Sequence, residues 1–453
     1  MTLSAQALDR TKPPHTPDLP AFRLPAVFES TLPNGLQILL VEDRRFPLVS
    51  ARLGFQAGSK YDPEDLPGLS ESVGVLLTEG TTSRAARQIA EEVATIGGAL
   101  RADSSPDALI IEASALSEHL PTLLELISDV ARHAAFPDDE VALRMQNREQ
   151  ELLAQRAQAA FLASEKFAQV VFGSHPYSRQ DPTLASIHRL SRPALSDFRD
   201  CFLVPNNAVL VLLGALPPRA QLLDLIRARF LDWQPKAPPP PPPPRFPVPR
   251  PSLVLVNRPG SVQADIRTGK LAVTRADPDY FSLLLASTIL GGGASSRLFM
   301  NIREEKGYAY DAHCSLQPLK DSGAFSVATQ VRNEVLAAAL HAVLAEMKDI
   351  ARRNVSADEL ADAKNYLSGA FVMRLETQGA LASQLAAVKL MGLPIDYLEK
   401  YTSRLRSVEP GKLRAAAGRY MTPKNAALVV VGDAPNIGPQ LRTFGKISVE
   451  EAG

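Results

Sequence analysis

The residues of this chain that could do chemistry lie in one run, GGGASSRLFMNIREEKGYAY, from Gly291 to Tyr310. Arg303 and Tyr310 stand seven positions apart, with Gly307 between them. A guanidinium fork binds a carbonyl or carboxylate through two parallel donors. A phenol hydroxyl can donate to a developing oxyanion, an effect worth on the order of 3 kcal/mol per donor in hydrolases. Taken alone, the same two residues also read as a solvated helix charge beside Glu304 and Glu305 and as a strand residue of the core. Gly291, Gly292 and Gly293 allow a tight, cap-like end to the apolar helix before them. Their run is too short for a phosphate cradle and lacks the Gly-Lys-Ser/Thr continuation one needs.

Zinc chemistry on one helix requires two imidazoles at i and i+4, with a carboxylate beside them as general base. The seven histidines, His15, His119, His133, His175, His188, His313 and His341, never stand so close together. Cys201 and Cys314 are too few for a disulfide scaffold and read as buried free thiols.

The elements that must position these residues mix strands with helices. Strands are expected at 36–42 and 48–57, after the Asn34-Gly35 turn signal, and at 108–115. Helices are expected from Leu69, whose apolar partners Val73, Leu76 and Leu77 follow at helical spacing, and over 118–134 and 139–171. The second half repeats the order. Strands are expected at 253–257, 263–273 and 322–331, and helices at 278–290, 295–305, 333–352 and 356–374. In the helix at 295–305, Ser295 or Ser296 is the expected cap, with Leu298, Phe299 and Ile302 facing the core. Hairpin, helix, strands and long helices in this order are α+β and not alternating βα.

The two halves are related. Pro205, Asn207, Ala208, Leu210, Val211 and Gly214 recur as Pro423, Asn425, Ala426, Leu428, Val429 and Gly432, always 218 positions on. Such an offset argues for duplication of a whole domain and against a short-repeat solenoid. Between the halves lie seven consecutive prolines, Pro238 to Pro244. They cannot join a helix or a central strand, and polyproline II at about 3.1 Å per residue makes them a spacer of roughly 20 Å. The expected division is an N-terminal arm over 1–25, a domain over 26–234, a linker over 235–251 and a second domain over 252–445.

The run at 290–310 and the stretch GLSESVGVLLTEGT at 68–81 resemble segments of the pitrilysin/insulinase family of zinc metallopeptidases, which includes mitochondrial processing peptidase. The resemblance extends over roughly residues 28–435. It implies a duplicated module of mainly antiparallel sheets covered by helices. In the family the second stretch carries His-x-x-Glu-His, and the aligned positions here hold Glu71, Gly74 and Val75. Glu71 could ligate a hard cation, but Val75 offers no lone pair and Gly74 no carboxylate, so this shell cannot hold catalytic zinc. The third family ligand, a glutamate, falls near Glu149 and Glu151, which read as solvated helix charges. Catalytic relatives have Asn-Ala where Arg101-Ala102 stands, on the edge strand that pairs with substrate. His175-Pro176-Tyr177 resembles a family stretch after the long helix and reads as structural.

Arg303 and Tyr310 match the Arg/Tyr pair with which relatives reach across a chamber to the peptide at the zinc site of the other domain or subunit. The resemblance therefore implies the non-catalytic subunit of a heterodimeric zinc peptidase, inactive by itself and binding no cofactor of its own. Its partner would carry His-x-x-Glu-His and the zinc, and the two would close around an unfolded peptide. The alternative is an inactive peptide-binding or scaffold protein with no peptidase partner. A metal hydrolase with an unusual shell is the third reading.

Composition agrees with a globular chain of two or more domains: 453 residues, 45% hydrophobic and 22% charged. Lys+Arg and Asp+Glu number 49 each, so no basic excess points to nucleic acid or an anionic membrane. No apolar run reaches the length of a membrane span. The first 25 residues contain no apolar h-region. The expected compartment is the cytoplasm, or the periplasm if a leader has been removed, and the proline-rich arm is expected to be mobile.

Overall fold

The computed structural model describes residues 22–241, 243, 245–247 and 252–452. The expectations for residues 1–21 of the arm, and for Pro242, Pro244 and 248–251 of the linker, lie outside the described residues.

The first half runs β1 (Val27–Thr31), β2 (Gln37–Glu42), β3 (Leu48–Phe55), α1 (Leu69–Leu76), α2 (Ala86–Thr95) and the hairpin β4 (Ala99–Ser104) to β5 (Leu109–Leu116). It continues through α3 (Leu120–His133), α4 (Asp138–Arg156), α5 (Ala159–Phe172), α6 (Leu184–Arg189), α7 (Arg192–Phe202), β6 (Ala208–Gly214) and α8 (Arg219–Phe230). The second half runs β7 (Ser252–Asn257), β8 (Gln263–Ala272), α9 (Tyr280–Gly291) and, after a π-helical turn at Phe299–Glu305, the hairpin β9 (Ala309–Pro318) to β10 (Gly323–Arg332). It closes with α10 (Leu336–Arg352), α11 (Ala357–Arg374), α12 (Gln378–Leu390), α13 (Tyr397–Arg406), α14 (Pro410–Tyr420), β11 (Ala427–Gly432), α15 (Ala434–Leu441) and β12 (Ile447–Glu451).

Each half builds a six-stranded mixed sheet, ordered β1-β2-β6-β3-β5-β4 and β12-β7-β11-β8-β10-β9. The inner five strands follow one plan, with β2 parallel to β6 as β7 is to β11, and the other inner neighbours antiparallel. The fold is α+β, as the element order implies. β12 pairs with β7 beyond residue 445, where the sequence reading closes the second domain.

The halves cover one another. α5, from the first half, packs on β8 and β11 of the second sheet, and α12, from the second half, packs on β3 and β6 of the first. Leu162, Phe167 and Phe172 of α5 meet Val254, Val256, Val429 and Val431. Leu381, Leu385 and Val388 of α12 share a core with Leu39, Val41, Val209, Val211 and Leu213. Strands β6 and β11 are buried on both faces as a result, so they read as unbroken apolar runs. The exchange also explains a difference from the single helix expected over 139–171. The chain leaves the helical conformation at Gln158 (φ −100°, ψ 123°) so that α5 can turn onto the other sheet, a tertiary demand that no Pro or Gly announces.

A buried polar hub locks the halves where the two edge hairpins turn. Lys60 Nζ lies 3.0 Å from Asp107 Oδ1 and 3.1 Å from Asp321 Oδ2, with its side chain 1% exposed. Burial disfavours its ammonium, but Asp107 and Asp321 outweigh that and hold its pKa above the ordinary value. The Tyr177 hydroxyl donates to Asp107 at 2.5 Å, and the Asp321 amide donates to that hydroxyl at 3.2 Å. His175 stacks on Phe246 of the linker at 4.4 Å, so His175-Pro176-Tyr177 sits in the packing between the halves.

Candidate functional site

The segment around Arg303 differs from a capped α-helix. α9 ends at Gly291, and Gly292 takes φ −92°, outside the left-handed region of a glycine cap. Gly291 is needed for close approach instead: a Cβ there would lie 2.5 Å from the Cys314 amide nitrogen of β9. A Cβ added at Gly293 would meet nothing within 4 Å. No serine side chain caps the following turn. Phe299–Glu305 is wound as a π-helix, closed by the Lys306 amide donating to Asn301 O at 3.2 Å. Leu298 and Ile302 are buried as expected, while Phe299 is only half-buried and serves as a platform. The Arg303 guanidinium stacks 4.6 Å from its ring centroid, leaving the side chain 44% exposed and 3.5 Å from Glu304.

Tyr310 is not a core residue. It is 87% exposed, at the start of β9 on the outer edge of the second sheet. Thr329 pairs with Ala312 and Val331 with Ala309, so Tyr310 and Asp311 together oppose Gln330 in a bulge that re-aims the tyrosine. Gly307, at φ +60°, supplies the left-handed turn between the two candidates. What fixes this segment is Arg297, to which the sequence reading assigns no role. Its Nε and Nη2 hold Glu359 of α11 at 2.7 and 3.0 Å, and its Nη1 holds Asp349 of α10 at 3.0 Å. The Arg297 guanidinium pulls the Glu359 carboxyl down to about 2.

The stretch at 68–81 forms a separate network. The Gly68 and Ser70 amides at the start of α1 donate to Asp62, each at 2.9 Å. Burial nevertheless pushes that carboxyl up to about 7. Gly74 lies against β4, where a Cβ would meet Asp103 and Ser104 backbone at an ordinary 3.5 Å, and Val75 is 40% exposed. Glu71 is occupied: Arg144 Nη2 lies 2.7 Å away and Arg148 Nε 3.2 Å away, both from α4. Glu151 is 3.5 Å from Arg144, so it is paired and not simply solvated, whereas Glu149 pairs with His188 at 3.1 Å on the surface. On β4, Arg101 projects from the sheet edge and is held by Glu112 at 2.6 Å. Arg303, near the end of the π-helical segment, and Tyr310, at the start of β9, thus lie either side of Gly307 in the second half, while Glu71, Gly74 and Val75 belong to a wall of the first.

Comparison with known proteins fits this architecture. The model of the insulinase family, peptidase family M16, matches residues 37–180, and the model described as the peptidase M16 inactive domain matches residues 189–367. An uncharacterized zinc protease of Mycobacterium leprae is 25% identical over 415 residues, 90% of this chain and 93% of that protein. Another, of Mycobacterium bovis, is 26% identical over 442 residues, 95% and 99% of the two chains. A peptidase M16 inactive domain from Pseudomonas fluorescens superposes with a TM-score of 0.83 at 24% identity, covering 90% of this chain and 98% of that one. A protease from Helicobacter pylori gives 0.82 at 20% identity, covering 90% and 100%. The chain belongs to the insulinase (peptidase M16) family, with the inactive-domain match spanning the end of its first half and much of its second.

The names of these relatives imply zinc, and the residues present do not fit it. Among the described residues, no group of three or more His, Cys, Asp or Glu side chains is placed to hold a metal ion. At Glu71 the neighbours are two guanidiniums, which repel a cation. No helix among the described residues is long and apolar enough to cross a membrane.

Proposed function

We propose that this chain is the non-catalytic subunit of a two-chain M16 peptidase, supplying Arg303 and Tyr310 to a peptide held at the zinc site of a His-x-x-Glu-His partner. The observation that carries the reading is the exposure of Tyr310, 87% accessible on a bulge and one glycine-hinged turn from Arg303. A tyrosine in the sheet edge would normally bury its ring, and this one offers its hydroxyl to a second body. The Arg303 fork, braced on Phe299, can bind a peptide carbonyl. Tyr310 can donate to the oxygen that gains charge as the carbonyl is attacked. Zinc belongs to the partner, and the substrate is an extended, unfolded peptide.

The test is hydrolysis of an unstructured peptide, with metal analysis, by this chain alone and co-purified with a His-x-x-Glu-His relative from the same source. Activity and zinc are expected in the complex only. Tyr310→Phe should lower kcat of the complex by about 10²-fold, and Arg303→Ala should act chiefly on KM. Unchanged activity of the complex with both substitutions would sink these roles.

A further inference from the structure

α9 runs from a cleft of about 260 Å³ at its first turn to Gly291, which lies against β9, the strand of Tyr310. Twelve residues of helix, roughly 18 Å, separate the two ends. Arg275, from the loop between β8 and α9, lines the cleft together with Arg404 of α13 and Lys412 in the first turn of α14. Both guanidiniums rest on one ring: Arg275 and Arg404 lie 5.2 and 5.8 Å from the centroid of Tyr397, which is 1% exposed. Arg275 Nε also donates to the Tyr397 hydroxyl at 3.3 Å, which fixes the guanidinium and leaves its two Nη groups to the cleft. Cations nearby are paired, Lys400 with Asp396 and Arg419 with Asp279. Among the described residues, no carboxylate oxygen lies within 4.0 Å of Arg275, Arg404 or Lys412. Asp277 is the one acid in the lining, and its Oδ1 accepts from the Asp279 amide at 2.8 Å. Three positive charges against one negative leave the cleft with an excess of two.

We propose that this cleft binds a compact free polyanion, a small molecule carrying two or more phosphoryl or carboxylate groups. Two guanidiniums held on one ring repel each other, and an oxyanion shared by them replaces that repulsion with charge-assisted hydrogen bonds. Guanidinium forks suit phosphate and carboxylate oxygens alike. Lys412 adds a flexible point charge, and the buried Ser282 adds a hydroxyl. The first turns of α9 and α14 contribute the positive ends of their dipoles. The volume is below that of pockets for drug-sized ligands, which limits the occupant to a small anion.

Calorimetric titration of the full chain at low ionic strength, with pyrophosphate and separately with citrate, tests this. Saturable one-to-one binding of at least one of them, tighter than about 1 mM, is expected. Which of the two binds distinguishes a phosphoryl from a carboxylate ligand. R404Q/K412Q removes two cations at exposed positions, so it should unfold with wild type and bind about tenfold or more weakly. R406Q/R414Q removes two charges from the same helices outside the cleft and should bind as wild type does. Binding of neither anion in that range would overturn the inference. So would an equal loss in the two double variants, the mark of diffuse attraction to a basic surface. The titrations involve no partner and no peptide, so their outcome is independent of the roles of Arg303 and Tyr310.

Discussion

The two halves share a strand plan and differ in what they do with their arginines. In the first half each reactive-looking cation is spent internally: Arg144 and Arg148 on Glu71, and Arg52 on Glu112 at 3.3 Å. In the second half the position facing Arg267 across the sheet is Ala328, where the first half sets Glu112 opposite Arg52. Both arginines still reach the helix lent by the other half, Arg52 donating to Ser383 at 2.9 Å and Arg267 to Ser164 at 3.3 Å. The duplicated scaffold and its helix exchange are therefore kept on both sides. The first half has turned its polar groups inward into paired clusters, and the second leaves Arg303 and Tyr310 open to solvent. Buried, paired charge holds structure, and the exposed pair is what the proposed role draws on.

The contrast makes the inner clusters the place of largest stability effects. Lys60→Met removes the one ammonium shared by Asp107 and Asp321 and leaves two carboxylates together between the halves. A loss of about 3–5 kcal/mol is expected in denaturant unfolding. A loss under about 1 kcal/mol would mean that the halves are held by apolar packing alone. Next in size is Gly291→Ala, whose methyl group would collide with the β9 backbone at Cys314, for an expected loss of about 2–3 kcal/mol. Gly293→Ala, two residues on in open space, should be close to neutral. Equal effects at the two positions would show that a flexible loop, and not close approach, requires the glycines.

How much of this was legible in the sequence depends on whether a residue's environment is local. The α+β class and the repeat were, because β6 and β11 are buried on both faces and so keep parallel apolar runs after Pro205 and Pro423. That Gly74 and Val75 offer no ligand atom was legible, because a side chain without a lone pair cannot ligate, whatever surrounds it. The break at Gln158 was not, since what bends the chain is a sheet some hundred residues further on. Nor were the buried arginines of α4: Arg144 and Arg148 stand at i and i+4 in a strongly polar helix, the pattern of a solvated face. The aim of Tyr310 depends on a bulge in the pairing of β9 with β10, and its register is set across the hairpin.

Arg297 lies between the two behaviours, since it is internally paired yet carries the exposed turn. Arg297→Ala should cost about 1–2 kcal/mol, a figure reduced for partial exposure, because Arg297 and Glu359 are 18% and 34% exposed. The pH dependence sharpens this. Glu359 titrates near 2 in the fold, against an ordinary 4.5, so its depressed pKa contributes stability above about pH 4.5 that is lost as pH falls toward 2. The stability gap between wild type and Glu359→Gln should therefore be widest at neutral pH and narrow from pH 5 to pH 3.5. A gap that stays constant over that range would mean the pair contributes through packing and not through charge.

The smallest expected effect is the most telling. Arg303→Ala and Tyr310→Phe remove a cation stacked on one ring at the surface and a hydroxyl in solvent. Surface changes of this kind fall within about 0.5 kcal/mol, so each variant should unfold within error of wild type. Arg144→Ala, the same residue type on the other half, should fall by several times that amount, because its loss leaves Arg148 alone to balance Glu71 and Glu151. If Arg303→Ala proved as destabilising as Arg144→Ala, the exposed turn would be one more internal lock, and the division of labour between the halves would fail. If Arg303→Ala and Tyr310→Phe leave unfolding untouched while lowering turnover in the complex, the second half keeps its polar groups for a ligand at no cost to its own fold.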